Sequence, residues 1–375
     1  MKNNLFLPAT ADRLPGLVRF TSWTLALFLI LSAATATVPA GEKGAASKYT
    51  FFPPAPDAPR LQFLTAFSSE KDLRGAKSGS LMNFITGAPP PNKLISKPYG
   101  VALSQKKIYV CDTGYGEVLK LDLESRRLSS IDSRGPGAFK LPVNITIDAD
   151  GLLYVTDTGR EEVVILDRNE NFVTAIGGRE VMSPRDVVVT ADRLYIGDVQ
   201  KHCIHAYQRT TRQPLFDIPQ GADATNMAHK LFQPANLAVD GSGRVYASDV
   251  GADRVQVYDS RGKYLRTVGQ YGDNAGEFAR PKGIAVDREN RLYVVDAVTQ
   301  VVQLFDDSGR LLMWFGDPRG SNVGLQLPAK VALDYDHTGL FQRYAAPDFE
   351  IEYLVVVTSQ YGRRKVSVFG FGHKK

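Results

Sequence analysis

Three features of the 375-residue chain predict an all-β fold in which six four-stranded sheets surround one axis. The first is a proline-led apolar run that recurs six times: KPYGVAL, LPVNITID, SPRDVVV, QPANLAVD, RPKGIAVD and LPAKVALD. The prolines, Pro98, Pro142, Pro184, Pro234, Pro281 and Pro328, are spaced by 44, 42, 50, 47 and 47 residues, the period of a propeller or solenoid. The second is that the segments within each copy are short, rich in Val, Ile and Tyr, and separated by turn clusters, which indicates strands. The third is an imbalance at the ends. The sixth copy stops after its third segment, KVSVFGF, while an orphan segment, RLQFLTAF, stands at 60–67 ahead of the first copy.

Each element follows from its residues. The opening run becomes the innermost strand. Its middle position is usually small (Ala102, Thr146, Val188, Ala238, Ala285, Ala332), and its neighbours are larger aliphatics such as Val101 and Leu103 or Ile284 and Val286. A strand wedged between adjacent sheets near an axis must be apolar on both faces, and small alternating with large accommodates the taper. The second strand is KIYVCD, LLYVTD, RLYIGD, RVYASD, RLYVVD and a degenerate YLVVVTS. The third is EVLKLD, EVVILD, CIHAYQ, RVQVYD, VVQLFD and KVSVFG, and the fourth is clear in FVTAIG, YLRTVG and LLMWFG. DADG (148–151), DGSG (240–243) and DSRGK (259–263) suit hairpins with glycine at positive φ. DADG lacks the distal Glu of a calcium loop and is read as a hairpin. One such sheet cannot bury both its faces, whereas six in a ring can. Residues 60–67 are therefore expected beside Val366–Phe369, covering an edge that would otherwise be open. The fold class is all-β: a six-bladed β-propeller of four-stranded antiparallel blades over 60–375, closed by an N-terminal strand that completes the last blade.

The segment 1–40 has the form of an export signal. Lys2, Arg13 and Arg19 precede an uncharged run, FTSWTLALFLILSAATATVPA (20–40), that ends in small residues. The run is also long enough to stay as a single membrane anchor. Either reading places the body outside the cytoplasm, periplasmic or secreted, because the positive flank stays inside. GEKGAASKYTFFPPAPDAP (41–59) is expected to be a Pro/Ala-rich linker. The formal charge of +5 falls to +3 when the first 40 residues are set aside, which leaves 42 basic and 39 acidic groups. A body so balanced gives no electrostatic case for nucleic acid. Cys111 and Cys203 fall in different repeats, and neither lies in a C-x-x-C pair, so no disulfide framework, zinc ribbon or attached haem is indicated. The body is expected to be a monomer.

With these residues in view, the chain resembles the NHL repeat family of six-bladed β-propellers. The resemblance is carried by the P-x-G-I-A-V-D opening, the L-Y-V-x-D centre and VGQYGDNAGEFARPKGIAVD (268–287). It covers roughly 60–375; the sixth copy departs from it, since VVVTS lacks the aspartate. The export segment and the PPAPDAPRLQFLTAF lead-in are similar to bacterial extracytoplasmic members, which implies a binding scaffold.

The recurring Asp112, Asp157, Asp198, Asp249 and Asp296 are read as turn-satisfying side chains and not as a ring of functional carboxylates. The residue two after each repeat proline should line the mouth of the central channel, and there the copies differ: Gly100, Asn144, Asp186, Asn236, Gly283, Lys330. Resemblance to six-bladed lactonases implies an axial Ca²⁺ held by Asn, Asp and Glu. Asn144, Asp186 and Asn236 would supply three ligands, but the set has no Glu, and Lys330 would oppose a cation. The expectation is a solvated polar channel with no resident cofactor, its Lys330 and asparagines suited to an anionic group. None of the six is His, which counts against the zinc chemistry of six-bladed peptidyl-hydroxyglycine lyases. KHCIHAY (201–207) puts His202, Cys203 and His205 close together, but residues three apart on a strand, as the two histidines are, point to opposite faces, so no metal site is assigned there. No G-x-S-x-G, H-E-x-x-H or phosphate loop is present.

Three long loops remain. Those at 68–97 and 219–233 join an outer strand to the next inner strand and share one face; the loop at 337–350 should emerge on the other. The sequence thus points to an exported non-enzymatic scaffold that binds a protein or other macromolecule through the first face, with Asn144, Asp186, Asn236 and Lys330 as binding residues at the channel. The alternative is a metal-dependent, lactonase-like hydrolase with axial calcium.

Overall fold

The computed structural model describes residues 49–74, 92–178, 183–317, 319 and 323–375. The expected export segment lies outside them, as does 75–91 of the 68–97 loop. Among the described residues no helix is long and apolar enough to cross a membrane.

Six antiparallel sheets are present, five of four strands and one of five. Blade five shows the plan: Pro281–Val286, Leu292–Asp296, Val301–Phe305 and Leu311–Phe315 follow one another outward. The inner strands of the other blades are Pro98–Ser104, Pro142–Ile147, Pro184–Val189, Pro234–Val239 and Pro328–Asp334. Each opening proline pairs with the last residue of its second strand, as in Pro142 with Asp157, and the register slips immediately afterwards. Proline has no N–H for the ladder, so it fits the first position of a strand, and the slip that follows is a bulge.

The apolar residues form six clusters, one between each pair of neighbouring blades. Leu237 and Val239 pack towards blade three with Tyr195 and Ile204, while Ala238 packs towards blade five with Ile284 and Leu292. Ile284 and Val286 likewise face blade four, and Ala285 faces blade six. Large aliphatics thus meet the preceding blade and the small middle residue meets the following one.

The L-Y-V-x-D segment closes both ends of a blade. Its tyrosine is buried in all five complete copies. Tyr154 and Tyr246 donate to Asp148 and Asp240, both at 3.0 Å, and so brace the hairpin after the inner strand. Its aspartate works at the other end. Asp157 accepts from Lys140 N at 2.7 Å, Leu141 N at 2.9 Å and Arg160 N at 3.1 Å. The carboxylate therefore satisfies the expected turn and also the chain arriving from the previous blade. Asp112 and Asp296 repeat the pattern. In blade six Ser359 Oγ accepts from Gln326 N at 3.3 Å, a weaker form of the same latch.

Leu61–Phe67 lies antiparallel to Val366–Lys374, with Leu61 opposite Phe371 and Phe67 opposite Val366, and so completes blade six as expected. Leu61, Leu64 and Phe67 are buried. Gln62, with no exposed surface, donates to Tyr344 O and accepts from Ala346 N, which ties the closing strand to the 337–350 loop. That loop is a packed cover, with Phe341, Ala346 and Phe349 in the cluster between blades six and one. Phe51–Phe52, inside the stretch expected to be linker, adds a fifth strand beside Leu61.

A chain starting at Ser68 should lose about 6 kcal/mol relative to one starting at Tyr49, because it forgoes the burial of Leu61, Leu64 and Phe67 and uncovers the surface they pack on. That is comparable to the whole stability of a typical domain, so thermal unfolding should show a collapsed midpoint and gel filtration should show aggregation. Asp157→Ala should cost about 3 kcal/mol in urea unfolding, because three backbone donors lose a charged acceptor.

Candidate functional site

Asn144, Asp186, Asn236 and Lys330 converge on the axis just past the four bulges, but they do not line a solvated mouth. All four are buried, the first three with no exposed surface. The geometry of a tapering ring explains this. The inner strands approach so closely here that a Cβ on Gly100 would lie 2.5 Å from Asn144 Cα, and one on Gly283 would lie 2.4 Å from Lys330 Cα. Only glycine fits those two places, and the remaining four fill the axis.

The four are joined to one another by hydrogen bonds. Lys330 Nζ, from blade six, donates to Asp186 Oδ2 of blade three at 2.5 Å and to Asn236 Oδ1 at 3.4 Å. Asn144 Nδ2 donates to Asn236 Oδ1 at 3.1 Å and to Arg185 O at 3.0 Å. Asp186 also accepts from Val187 N and Leu237 N. Asn236 Nδ2 donates to the Tyr99 hydroxyl at 3.3 Å, and burial holds the Tyr99 phenol above its usual pKa. Burial also raises Asp186 above the ordinary carboxylate range, outweighing the Lys330 ammonium that pulls it down.

Several members of this cluster escaped the sequence reading. Tyr99 is one. Lys282 is another: its ammonium lies 5.6 Å from the Tyr99 ring centroid and donates to Gln360 Oε1. Burial, then Arg280 and Lys97, push it down to about 8. Three hydroxyls form a further group. Thr156, Ser248 and Thr358 accept from the backbone N–H of Asn144, Asn236 and Lys330, at 3.0, 3.0 and 3.1 Å. A signal existed in the penultimate residue of the second strand. It is Thr or Ser in these three copies, which carry an amide or amine at the axis, and Cys, Gly or Val in the others.

The oxygens present do not fit an axial calcium. Asp186 Oδ2 and Asn236 Oδ1 already hold the Lys330 ammonium, and a divalent cation placed on them would face that charge in a desolvated setting. Asn144 Oδ1, the one buried oxygen of the set without a hydrogen bond, is a single neutral donor. Beyond the cluster the axis opens as a cavity of about 340 Å³, lined mainly by the apolar second halves of the inner strands, with Lys330 among its walls. Those second halves run away from the prolines, so the cavity belongs to the opposite face.

On the face where the inner strands begin, the 219–233 loop is held down. His229 stacks on Tyr264 at 4.0 Å and bonds Asp223 at 2.7 Å, and Tyr258 and Gln256 donate to His229 O and Ala228 O. Met227 alone of its large apolar side chains stays exposed. The other exposed ones on this face are Leu94, Tyr115, Leu141, Tyr271, Val298 and Tyr361; among the described residues the remaining examples all lie on fourth strands. A cleft of about 460 Å³ opens beside Val298, with Asp273, Asn274, Gln300, Trp314 and Arg319 on its walls.

Lys330→Met should destabilise the protein by about 3–5 kcal/mol at pH 8, since it strands a buried carboxylate. Asp186 has a raised folded-state pKa, so its ionised form opposes folding above that pKa and the penalty fades as pH falls through it. The loss in Lys330→Met should therefore shrink between pH 8 and pH 5 in urea unfolding, and a pH-independent loss would contradict the pairing.

The family described as DUF5128, a 6-bladed beta-propeller, matches residues 225–312. No protein of curated function matches the sequence. Among solved structures, the chain is similar to a gluconolactonase from Xanthomonas campestris, with 15% identity, TM-score 0.55, and 87% of this chain and 98% of that one covered. It is similar to a protein of unknown function from Bacteroides thetaiotaomicron, with 13% identity, TM-score 0.55 and coverages of 74% and 70%. It is also similar to virginiamycin B lyase from Staphylococcus aureus, with 11% identity, TM-score 0.51 and coverages of 74% and 96%. At these identities the likeness is one of fold, and the fold is an all-β six-bladed propeller of four-stranded antiparallel blades, its last blade closed by an N-terminal strand.

Proposed function

We propose that this chain is an exported, non-enzymatic NHL-type scaffold that binds a protein partner outside the cytoplasm through the face on which its inner strands begin. The observation that carries the reading is the unequal distribution of exposed apolar side chains. Leu94, Tyr115, Leu141, Met227, Tyr271, Val298 and Tyr361 all project from loops of that face, and the opposite face has no counterpart among the described residues. Aromatic residues on otherwise polar loops are the groups that dominate binding energy in protein interfaces. The axis lends support, since its carboxylate is already paired with Lys330 and offers no open charge to a small-molecule reaction. The lactonase-like alternative would need a cation where that ammonium lies. Residues 20–40 would either hold the propeller at the membrane or be removed on export.

The test is cross-linked capture from the cell envelope with the intact chain and with Tyr115→Ser/Tyr271→Ser/Tyr361→Ser. These side chains are exposed, so the variant should melt like the parent while retaining specific partners at least tenfold more weakly. Equal recovery by both would refute the choice of face; a Leu215→Ser/Leu265→Ser variant on the outer strands is the control.

A further inference from the structure

Blade three departs from the repeat on its outer side. In the third strands the position of Cys203 is otherwise Glu117, Glu162, Arg254, Val301 or Lys365, and that of His205 is Leu119, Val164, Gln256, Gln303 or Ser367. The two side chains are two apart on Cys203–Gln208 and share a face. On the neighbouring fourth strand, Asp217 pairs directly with His205. Its counterparts in the other complete blades are Ser130, Ala175, Thr267 and Trp314, none of them a carboxylate.

The geometry brings these three together. Cys203 Sγ lies 3.9 Å from His205 Nδ1 and 3.8 Å from Nε2, and Asp217 Oδ1 lies 2.7 Å from Nδ1. Among the described residues this is the one place where three such ligand groups converge, one ligand atom from each lying within 4.8 Å of the other two. A fourth residue stands behind them. Asp198, with no exposed surface, faces His205 Nε2 at 3.4 Å, and its other oxygen is held by Gln200 N and Lys201 N. A carboxylate fixed on the far ring nitrogen presents the near nitrogen as a donor, the usual second partner of a metal-bound imidazole. His202, the other histidine of the run, turns away at a φ of 57° to meet Phe232 O.

We propose that Cys203, His205 Nδ1 and Asp217 bind one divalent transition-metal ion of borderline softness, Zn²⁺ foremost, with Asp198 as the positioning residue. Thiolate, imidazole and carboxylate together are a Zn²⁺ donor set, and three protein ligands leave a fourth tetrahedral position open. Ordinary zinc bond lengths in a tetrahedron separate S and N by about 3.6 Å and N and O by about 3.4 Å. The thiol must therefore swing to the Nδ1 side of the ring and close by about 0.3 Å, and Asp217 must retreat by about 0.7 Å. Asp217 has a mostly exposed side chain and is free to do so. The open position then faces solvent. Binding replaces the hydrogen bond that His205 Nδ1–H donates to Asp217 with two metal bonds; the thiol proton and the Nδ1 proton leave to solvent, and the Nε2 proton stays on the Asp198 side.

The test uses the purified full chain, stripped with chelator and titrated with Co²⁺ and then Zn²⁺. One equivalent of Co²⁺ should bind with a thiolate-to-cobalt charge-transfer band that Zn²⁺ bleaches. Cys203→Ser should abolish the band and weaken Zn²⁺ binding at least tenfold, and Asp217→Asn should also weaken it without altering apo-protein melting. Asp198→Asn should cost 10–100-fold in affinity while keeping the band, since it acts through His205. Absence of a stoichiometric band, its survival in Cys203→Ser, or equal Zn²⁺ affinity in the parent and both ligand variants would overturn the site.

Discussion

Everything in this molecule depends on each sheet having two apolar faces that no single sheet can cover. The inner strands carry large aliphatics towards one neighbour and a small residue towards the other, so a blade is complete only when both neighbours are in place. Blades stacked in an open row would still leave two apolar faces bare. Closure covers both, and it is made by a strand, Leu61–Phe67, drawn from the opposite end of the chain to the strand it pairs with. The buried Gln62 locks this join to the 337–350 cover through two backbone groups.

The same closeness determines the chemistry of the axis. Where six strands crowd together, two positions have room for no side chain, and the other four lose their water. A carboxylate in that setting needs a partner, and the partner is covalently part of the protein. The Lys330–Asp186 pair joins blades on opposite sides of the ring, and the two asparagines bridge the others. The channel is consequently filled at one face and open only at the other. The face with the filled axis is also the one whose loops present the exposed tyrosines Tyr115, Tyr271 and Tyr361.

Repetition also sharpens the meaning of departures from it. Positions dictated by packing are nearly the same in every blade: the proline, the small middle residue, the tyrosine and the latching aspartate. The degenerate sixth blade keeps its latch in reduced form through Ser359. Blade three does something different. Its third and fourth strands carry a thiol, an imidazole and a carboxylate where the other copies carry core, amide or surface residues, and packing alone does not call for that combination.

Much of the fold was legible because a repeating sequence writes its local geometry several times over. Strand order, the hairpins, the structural role of the aspartates and the closing strand at 60–67 all follow from short-range pattern and from the arithmetic of a missing strand. The candidate site was legible only in part. Asn144, Asp186, Asn236 and Lys330 stood out as the copies that differ, but the sequence placed them at a wet mouth. The structure buries them in mutual contact with Tyr99 and the hydroxyls of Thr156, Ser248 and Thr358. Likewise KHCIHAY drew attention to His202, Cys203 and His205, while the cluster that forms keeps Cys203 and His205, leaves out His202 and adds a carboxylate from the next strand. The reason is physical. Periodicity reports which face of its own strand a residue occupies, whereas Lys330 and Asp186 are 144 positions apart and meet only because the ring closes with six members. Local pattern determined the blades; ring closure decided which side chains lose water together, and with that the chemistry open to them.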